Sequence, residues 1–226
     1  MERFPFAINE WYHCYSRGID KCPTFLDKND YERFLALLYV CNSDTTIHRS
    51  DLLKHSLSEI LQTKRGEPLV VIGAFCSMPN HFHLLIKEIR ERGTSTFMQK
   101  LGTAYTMYFN IKYERSGGLF TKPFRSRHVN DNRYLQKVIG YIHCNPADIF
   151  EPEWKNGTVT NLETLQKNLE NYQYSSLSAF LDANQPTRKI LSEEIFTIET
   201  QPLFQNILQD AFLYHQDQQA NVKASP

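Results

Sequence analysis

The hydrophobic positions of the chain follow the period of a strand in some segments and that of a helix in others. The places where the period changes delimit the predicted elements. Residues 11–17 (WYHCYSR) are rich in aromatic side chains and predict a first strand. Asp27 is the predicted N-cap of a helix, because the apolar residues after it recur at three- and four-residue spacings. Residues 50–63 repeat that helical spacing and predict a second helix with Ser50 as its N-cap.

Two runs of apolar and β-branched residues follow, at 69–76 and 81–86. A short segment that contains Pro79 and Asn80 separates them. Runs of this length around a short turn predict a β-hairpin in the core of a sheet.

After the hairpin, apolar residues recur at helical spacing from Thr94 and predict a long helix. Residues 116–118 (SGG) end this helix. Residues 124–129 alternate apolar and basic side chains and predict a strand. Asp131 caps a last helix that ends near Pro146. The order β-α-(α)-β-β-α-β-α predicts an α+β fold, a ferredoxin-like antiparallel sheet with helices on one face.

The charge distribution divides the chain more clearly than the total charge, which is zero at pH 7. Residues 111–140 hold seven Lys and Arg against two Asp and Glu, whereas residues 141–226 hold five against eleven. We therefore predict one domain over residues 1–150 and an acidic, helical C-terminal extension over 151–226. The basic stretch suits either a solvated surface or a phosphate-binding one.

Composition predicts a cytoplasmic protein without a membrane span. No stretch reaches the roughly 18 consecutive apolar residues of a transmembrane helix. The first residues do not follow the pattern of a signal peptide. The five cysteines are odd in number and form no CxxC pair, which disfavours a disulfide framework or a Cys-based zinc site.

The clearest candidate for chemistry is the pair His81 and His83. Because side chains alternate along a strand, both imidazoles lie on one face of the sheet and Phe82 lies on the other. Two such histidines can chelate a divalent cation if a third ligand joins them. The competing interpretation is a pair of exposed histidines that bind nothing.

Tyr141 and Asn145 are the second candidate pair, because a spacing of four residues places them one turn apart on one helix face. An amide oxygen is a suitable third ligand for Mg²⁺ or Mn²⁺. A phenol beside a cation loses its proton more readily than its ordinary pKa of about 10 allows, which would make Tyr141 a covalent nucleophile. The competing interpretation of Tyr141 is packing in the core or at its rim.

These two pairs lie in segments that resemble a known family. Residues 78–85 (MPNHFHLL) and 141–146 (YIHCNP) are similar to the two signatures of single-tyrosine HUH transposases, where HUH stands for histidine–hydrophobe–histidine. The branch they resemble is that of REP-associated tyrosine transposases. Further similar stretches bring the resemblance to roughly residues 10–150; they lie at 12–18, 25–34, 97–110 and 118–126.

The resemblance implies a metal-dependent endonuclease and strand transferase that acts on single-stranded hairpin DNA of repeat elements during DNA transposition and recombination. It implies that His81, His83 and Asn145 hold Mg²⁺ or Mn²⁺, and that Tyr141 forms a 5′-phosphotyrosine link. The protein is also expected to be cytoplasmic and associated with the nucleoid, and to be a monomer or a homodimer. The residues expected to contact DNA are Arg17, Lys122, Arg125, Arg127 and Arg133.

Three alternatives stay open at this point. The first is a replication-initiator or relaxase-like HUH nickase, although the chain has no GxxxxGK[ST] loop of the kind a fused helicase carries. The second is a domesticated protein that binds repeat DNA sequence-specifically without cutting it. The third is a metal-dependent hydrolase that uses water in place of Tyr141.

Overall fold

A computed structural model describes residues 5–45, 55–198 and 204–223. Its centre is a four-stranded antiparallel sheet with the strand order β2-β3-β1-β4. The strands are β1 (Trp11–Arg17), β2 (Val70–Met78), β3 (His81–Glu88) and β4 (Arg125–Val129). The predicted strands and the α+β class are therefore confirmed.

One face of the sheet packs on two helices, α1 (Lys28–Cys41) and α3 (Gly93–Lys112). Phe82 of β3 points to this face and lies 5.0 Å from Phe34 of α1, measured between ring centroids. Asp27 caps α1 as predicted, since its side chain accepts a hydrogen bond from the backbone N–H of Asp30. Ser50 lies outside the described residues; the short helix α2 (Leu57–Ile60) begins after Ser56, which caps it.

The opposite face is covered as well, and here the structure differs from the prediction of helices on one face. Helix α4 (Asn132–Cys144) packs on β2 and β3, and the last helix, α9 (Phe204–Lys223), packs on α4. The reason lies in β2, which is buried along its whole length and thus needs apolar cover on both sides. Helix α4 supplies that cover with Leu135, Val138, Ile139 and Ile142.

Helices α4 and α9 approach each other closely at Gly140. A Cβ atom at this position would lie 2.8 Å from the backbone oxygen of Ile207 in α9, which is closer than real Cβ atoms come. Glycine is therefore required for this contact. The contact fixes α9 against the helix that carries Tyr141.

The segment after residue 146 forms helices and short 3₁₀ turns that pack on the same side. A second apolar cluster joins both sides of residue 150, since it holds Cys144 and Ala147 together with Trp154 and Leu165. The chain also pairs with β2 where Tyr174 accepts a hydrogen bond from the backbone N–H of Ser77. The domain boundary after residue 150 stays a prediction. The α-helices of this segment are α5 (Ala147–Phe150), α6 (Leu162–Glu170), α7 (Leu177–Leu181) and α8 (Glu194–Ile198), and its 3₁₀ turns are Trp154–Asn156 and Pro186–Ile190.

Among the described helices, none combines the length and the apolar character that crossing a membrane requires.

Candidate active site

The side chains of β1 and β3 that face α4 form the floor of the site. In the antiparallel register, Arg17 stands opposite His81 and Tyr15 stands opposite His83. All four therefore share one face, as the period of two requires. The Tyr15 ring is stacked on the His83 ring at 5.6 Å between centroids.

Both histidines are oriented through Nδ1. His81 Nδ1 lies 2.7 Å from Asn80 Oδ1, and the Asn80 amide nitrogen donates to the backbone oxygen of Lys21, so that Asn80 Oδ1 is the acceptor for His81. His83 Nδ1 lies 2.8 Å from Nε2 of His13 on β1. In each imidazole, Nε2 is then the nitrogen placed to bind a metal.

Tyr141 lies directly over the histidines. Its ring meets the His83 ring edge-on, with 5.5 Å between centroids and an interplanar angle of 89°. It also packs on Tyr214 of α9, at 4.7 Å. Because α4 and β3 belong to the same chain, one chain alone brings the tyrosine to the histidine pair.

Asn145 completes the predicted set at the C-terminal end of α4. Its amide nitrogen donates to the backbone oxygen of Tyr141 at 2.8 Å, which turns Oδ1 toward the site. This oxygen is fully buried and has no hydrogen-bond partner in the described part of the chain. A buried oxygen without a partner costs about 1–3 kcal/mol, so it marks a place where a ligand would be favourable.

Two imidazole nitrogens and this amide oxygen fit a small divalent cation. Nowhere in the described residues, this site included, do three His, Cys, Asp or Glu side chains come together as a metal site. A cation at this position would therefore depend on the Asn145 oxygen and on oxygens from water or substrate.

Burial keeps the histidines neutral. It lowers the pKa of His81 to about 4, with the charge of Arg17 as the next cause. It lowers the pKa of His83 well below its ordinary value, with His13 and His81 adding to the effect. Neutral imidazoles are the form that binds metals, so both are ready to do so at pH 7.

The pKa of Tyr141 shifts in the other direction. Burial raises it, and the nearby carboxylate of Asp148 raises it further, while the amide side chain of Asn145 and the charge of Arg17 lower it. The phenol is thus neutral in the protein by itself. The predicted ionisation of Tyr141 requires positive charge that a bound cation would bring.

Residues 35–145 match the family model of IS200-like transposases. The matched segment begins in α1 and ends at Asn145, and thereby includes both histidines and Tyr141. The chain contains an IS200-like transposase domain. The family resemblance predicted from the two signatures is confirmed.

The fold of the chain is similar to that of a solved structure, a REP-associated tyrosine transposase bound to a REP hairpin. The TM-score is 0.50 and the sequence identity is 11%, and the match covers 90% of this chain and 98% of that one. A comparison with curated proteins finds no match.

Three of the five predicted DNA-contacting residues share the histidine face of the sheet. Arg17 is exposed at the end of β1, while Arg125 and Arg127 of β4 stand opposite Tyr15 and His13 in the sheet register. The side chain of Arg127 also lies over the ring of Tyr134 in α4.

The other two predicted residues lie elsewhere. Lys122 lines a cleft of about 770 Å³ beside α3, together with Ser16 and Phe82, whose side chains point to the face opposite the histidines. Arg133 is exposed on the first turn of α4, where its charge acts on Asp210 of α9.

Sequence reasoning overlooked several residues of the site. His13 alternates with Tyr15 and Arg17 along β1, so the strand pattern held the signal that would have placed it on the histidine face. Tyr12, the residue before His13, points to the other face, where it contacts Phe6 and His128.

Lys155 and Tyr214 have no such signal, because only the packing of the C-terminal segment brings them to the site. Lys155 Nζ lies 6.0 Å from the centre of the Tyr141 ring and 2.6 Å from an oxygen of Asp148. Its charge also contributes to the lowered pKa of both histidines. The site therefore contains a second cation besides Arg17.

Proposed function

We propose that this chain is a metal-dependent endonuclease and strand transferase for single-stranded hairpin DNA, which works through a 5′-phosphotyrosine link to Tyr141. The observation that carries the proposal is the position of the Tyr141 ring against His83, next to the unpartnered oxygen of Asn145. A water-using hydrolase would not need a tyrosine at that place.

His81, His83 and Asn145 would hold the cation, either Mg²⁺ or Mn²⁺. Such a cation polarises the scissile phosphate and stabilises the charge that develops on its oxygens. Arg17 and Lys155 lie on the same site and would add positive charge around the phosphate.

The Tyr141 oxygen would form a bond to phosphorus while the bond from phosphorus to the 3′ oxygen breaks. The phenol gives up its proton, and the departing 3′ oxygen takes one up, so that a free 3′-hydroxyl remains. A second 3′-hydroxyl can reverse the step, which conserves the phosphodiester energy. Since Tyr141 and both histidines come from one chain, the geometry supports catalysis in cis whether the protein is a monomer or a homodimer.

The proposal of hairpin DNA as the partner rests on two supports. The solved structure with this fold is bound to a REP hairpin. In this chain, Arg17, Arg125, Arg127 and the stacked ring of Tyr15 share the histidine face, which suits a phosphate backbone and an unpaired base. A protein with this partner would be associated with the nucleoid in the cytoplasm.

The decisive test uses single-stranded hairpin oligonucleotides from repeats that flank the gene, labelled at the 5′ end or at the 3′ end. They are incubated with Mg²⁺ or Mn²⁺ and separated on a denaturing gel. A 5′-phosphotyrosine link predicts that the protein carries the 3′ label and releases the 5′-labelled fragment. Tyr141→Phe should abolish both products and leave hairpin binding unchanged.

Tyr105→Phe is the matched control, because it removes a buried tyrosine hydroxyl that donates to the backbone oxygen of Thr24 away from the site. Cleavage that persists in Tyr141→Phe without an adduct would mean a water-using hydrolase. Hairpin binding without any cleavage would mean a DNA-binding protein that does not cut.

A further inference from the structure

A chain of hydrogen bonds connects α9 with the histidine pair. The hydroxyl of Tyr214 lies 2.7 Å from Nδ1 of His13, and His13 Nε2 lies 2.8 Å from Nδ1 of His83. The three side chains are almost completely buried, with exposed fractions of 1%, 2% and 5% respectively. Residues 201 positions apart in the chain thus meet beside the proposed metal ligand.

Each of the two neutral imidazoles carries one proton, so the chain has two possible directions. In the first, His83 Nδ1–H donates to His13 Nε2, and His13 Nδ1–H donates to the Tyr214 oxygen. In the second, Tyr214 donates to His13, His13 donates to His83 Nδ1, and the proton of His83 sits on Nε2. Only the first direction leaves the lone pair of His83 Nε2 available.

We propose that Tyr214, acting through His13, holds His83 with its proton on Nδ1 and so presents Nε2 of His83 to a metal. The inference rests on the proposed function in one respect, since the metal at His83 is part of that proposal. Tyr214 and His13 are positioning residues, because neither occupies the place of a ligand.

Two features of the packing support this role for Tyr214. Its ring also lies 4.7 Å from that of Tyr141, so one side chain contacts both the proposed nucleophile and the hydrogen-bond chain. The close approach of α9 at Gly140 holds the helix that carries it. His13 and Tyr214 both lie outside the segment 35–145 that matches the transposase family.

Without the Tyr214 hydroxyl, the proton on His13 Nδ1 would be buried with no acceptor. His13 escapes that cost by moving its proton to Nε2. That proton then points at His83 Nδ1, which forces the proton of His83 onto Nε2. Tyr214→Phe is therefore expected to change the tautomer of a histidine that it does not touch.

The test uses the full chain labelled with ¹⁵N in its histidines and free of metal. Long-range proton–nitrogen spectra report which ring nitrogen carries the proton, and single histidine replacements assign the signals. We expect the wild-type protein and Tyr105→Phe to show the Nδ1–H form of His83, and Tyr214→Phe to show the Nε2–H form. An Nε2–H form in the wild type, or an unchanged tautomer in Tyr214→Phe, would overturn the inference.

Titration with Mn²⁺ gives the second readout. Loss of an outer-sphere partner costs about 10–100-fold in metal affinity, so Tyr214→Phe should bind Mn²⁺ at least about tenfold more weakly. Tyr105→Phe should show no change beyond a loss of thermal stability. In a His13→Phe background, Tyr214→Phe should have no further effect, whereas independent, additive losses would contradict transmission through His13.

The two proposals can fail separately. Suppose that His83 is in the Nδ1–H form in the wild type and changes its tautomer in Tyr214→Phe, but that Mn²⁺ does not bind. The hydrogen-bond chain is then correct and the metal-dependent function is wrong. If Mn²⁺ binds and the tautomer is the same in both proteins, the function stands and the role of Tyr214 is wrong.

Discussion

Two buried polar groups on opposite faces of the sheet are satisfied to different degrees. On the face of α1 and α3, the fully buried carboxylate of Asp30 receives the ammonium of Lys112 at 2.7 Å and the hydroxyl of Tyr113 at 2.8 Å. On the face of α4, the oxygen of Asn145 is equally buried and receives nothing from the described residues.

The difference distinguishes the cluster around Asp30 from the candidate site. A saturated cluster such as that around Asp30 contributes to folding and leaves no capacity for a ligand. An unpartnered amide oxygen reduces the stability of the fold, but beside neutral histidines it suits the cation and the phosphate of the proposed function. Changes around Asp30 should therefore affect folding, and changes at Asn145 should affect the proposed chemistry.

Acid should separate the two faces most strongly. Burial lowers the pKa of His13 and of His143 to about 3, so the unfolded chain binds more protons than the folded one below pH 6.5. Their contribution to stability is complete above that pH and is lost as the pH falls toward 3. At pH 5 the loss should be about 2 kcal/mol for each of the two histidines.

The stability that Lys112 adds on the face of α1 and α3 should not change between pH 7 and pH 5. The hydrogen bond from Lys112 lowers the pKa of Asp27, so the stability it adds is present above pH 3.8 and lost only below. Urea unfolding between pH 7 and pH 5 measures the effect. His143→Phe should reduce the loss of unfolding free energy between pH 7 and pH 5 by about 2 kcal/mol, and an unchanged loss would contradict the assignment.

Lys112→Met is the next largest change and tests the saturated face. It leaves the buried carboxylate of Asp30 without its cation, which should cost about 3 kcal/mol of unfolding free energy. Adduct formation with hairpin DNA by the folded protein should be unchanged. Lys28→Met is the control, because Lys28 is exposed and its ion pair with Glu32 should be worth less than about 1 kcal/mol.

Asn145→Leu makes the reverse change on the histidine face. It removes the unpartnered oxygen and the hydrogen bond from the amide to Tyr141, so stability should stay the same or rise by about 1 kcal/mol. Affinity for Mn²⁺ and the rate of adduct formation should fall at least about tenfold. A protein that loses stability and keeps its metal affinity would show that Asn145 is structural.

Much of the fold could be predicted because local signals were sufficient. The hairpin around Pro79 and the cap at Asp131 depend on residues close in sequence, and both lie where the pattern places them. The single layer of helices was wrong because the cover of β2 depends on α4 and α9 meeting at Gly140, which no local pattern encodes.

The same distinction applies to the site. His81, His83, Tyr141 and Asn145 stand in two short motifs, and the structure brings all four together. Strand alternation was enough to predict that His13 belongs to the site. The positions of Lys155 and Tyr214 depend on the tertiary arrangement of the last 80 or so residues, which no local pattern gives. Lys122 was placed with the basic strand because it is near in sequence, yet it lines the cleft on the far side of the sheet.

The position of α9 has a consequence for how the protein is made. The helix that closes the site against Tyr141 comes from residues 204–223, which a ribosome adds after both histidines and the tyrosine. A nascent chain therefore carries each signature motif long before it has the wall that the Tyr214 ring provides. A gene shortened at its 3′ end would encode a protein that keeps both signature motifs and lacks one side of its own site.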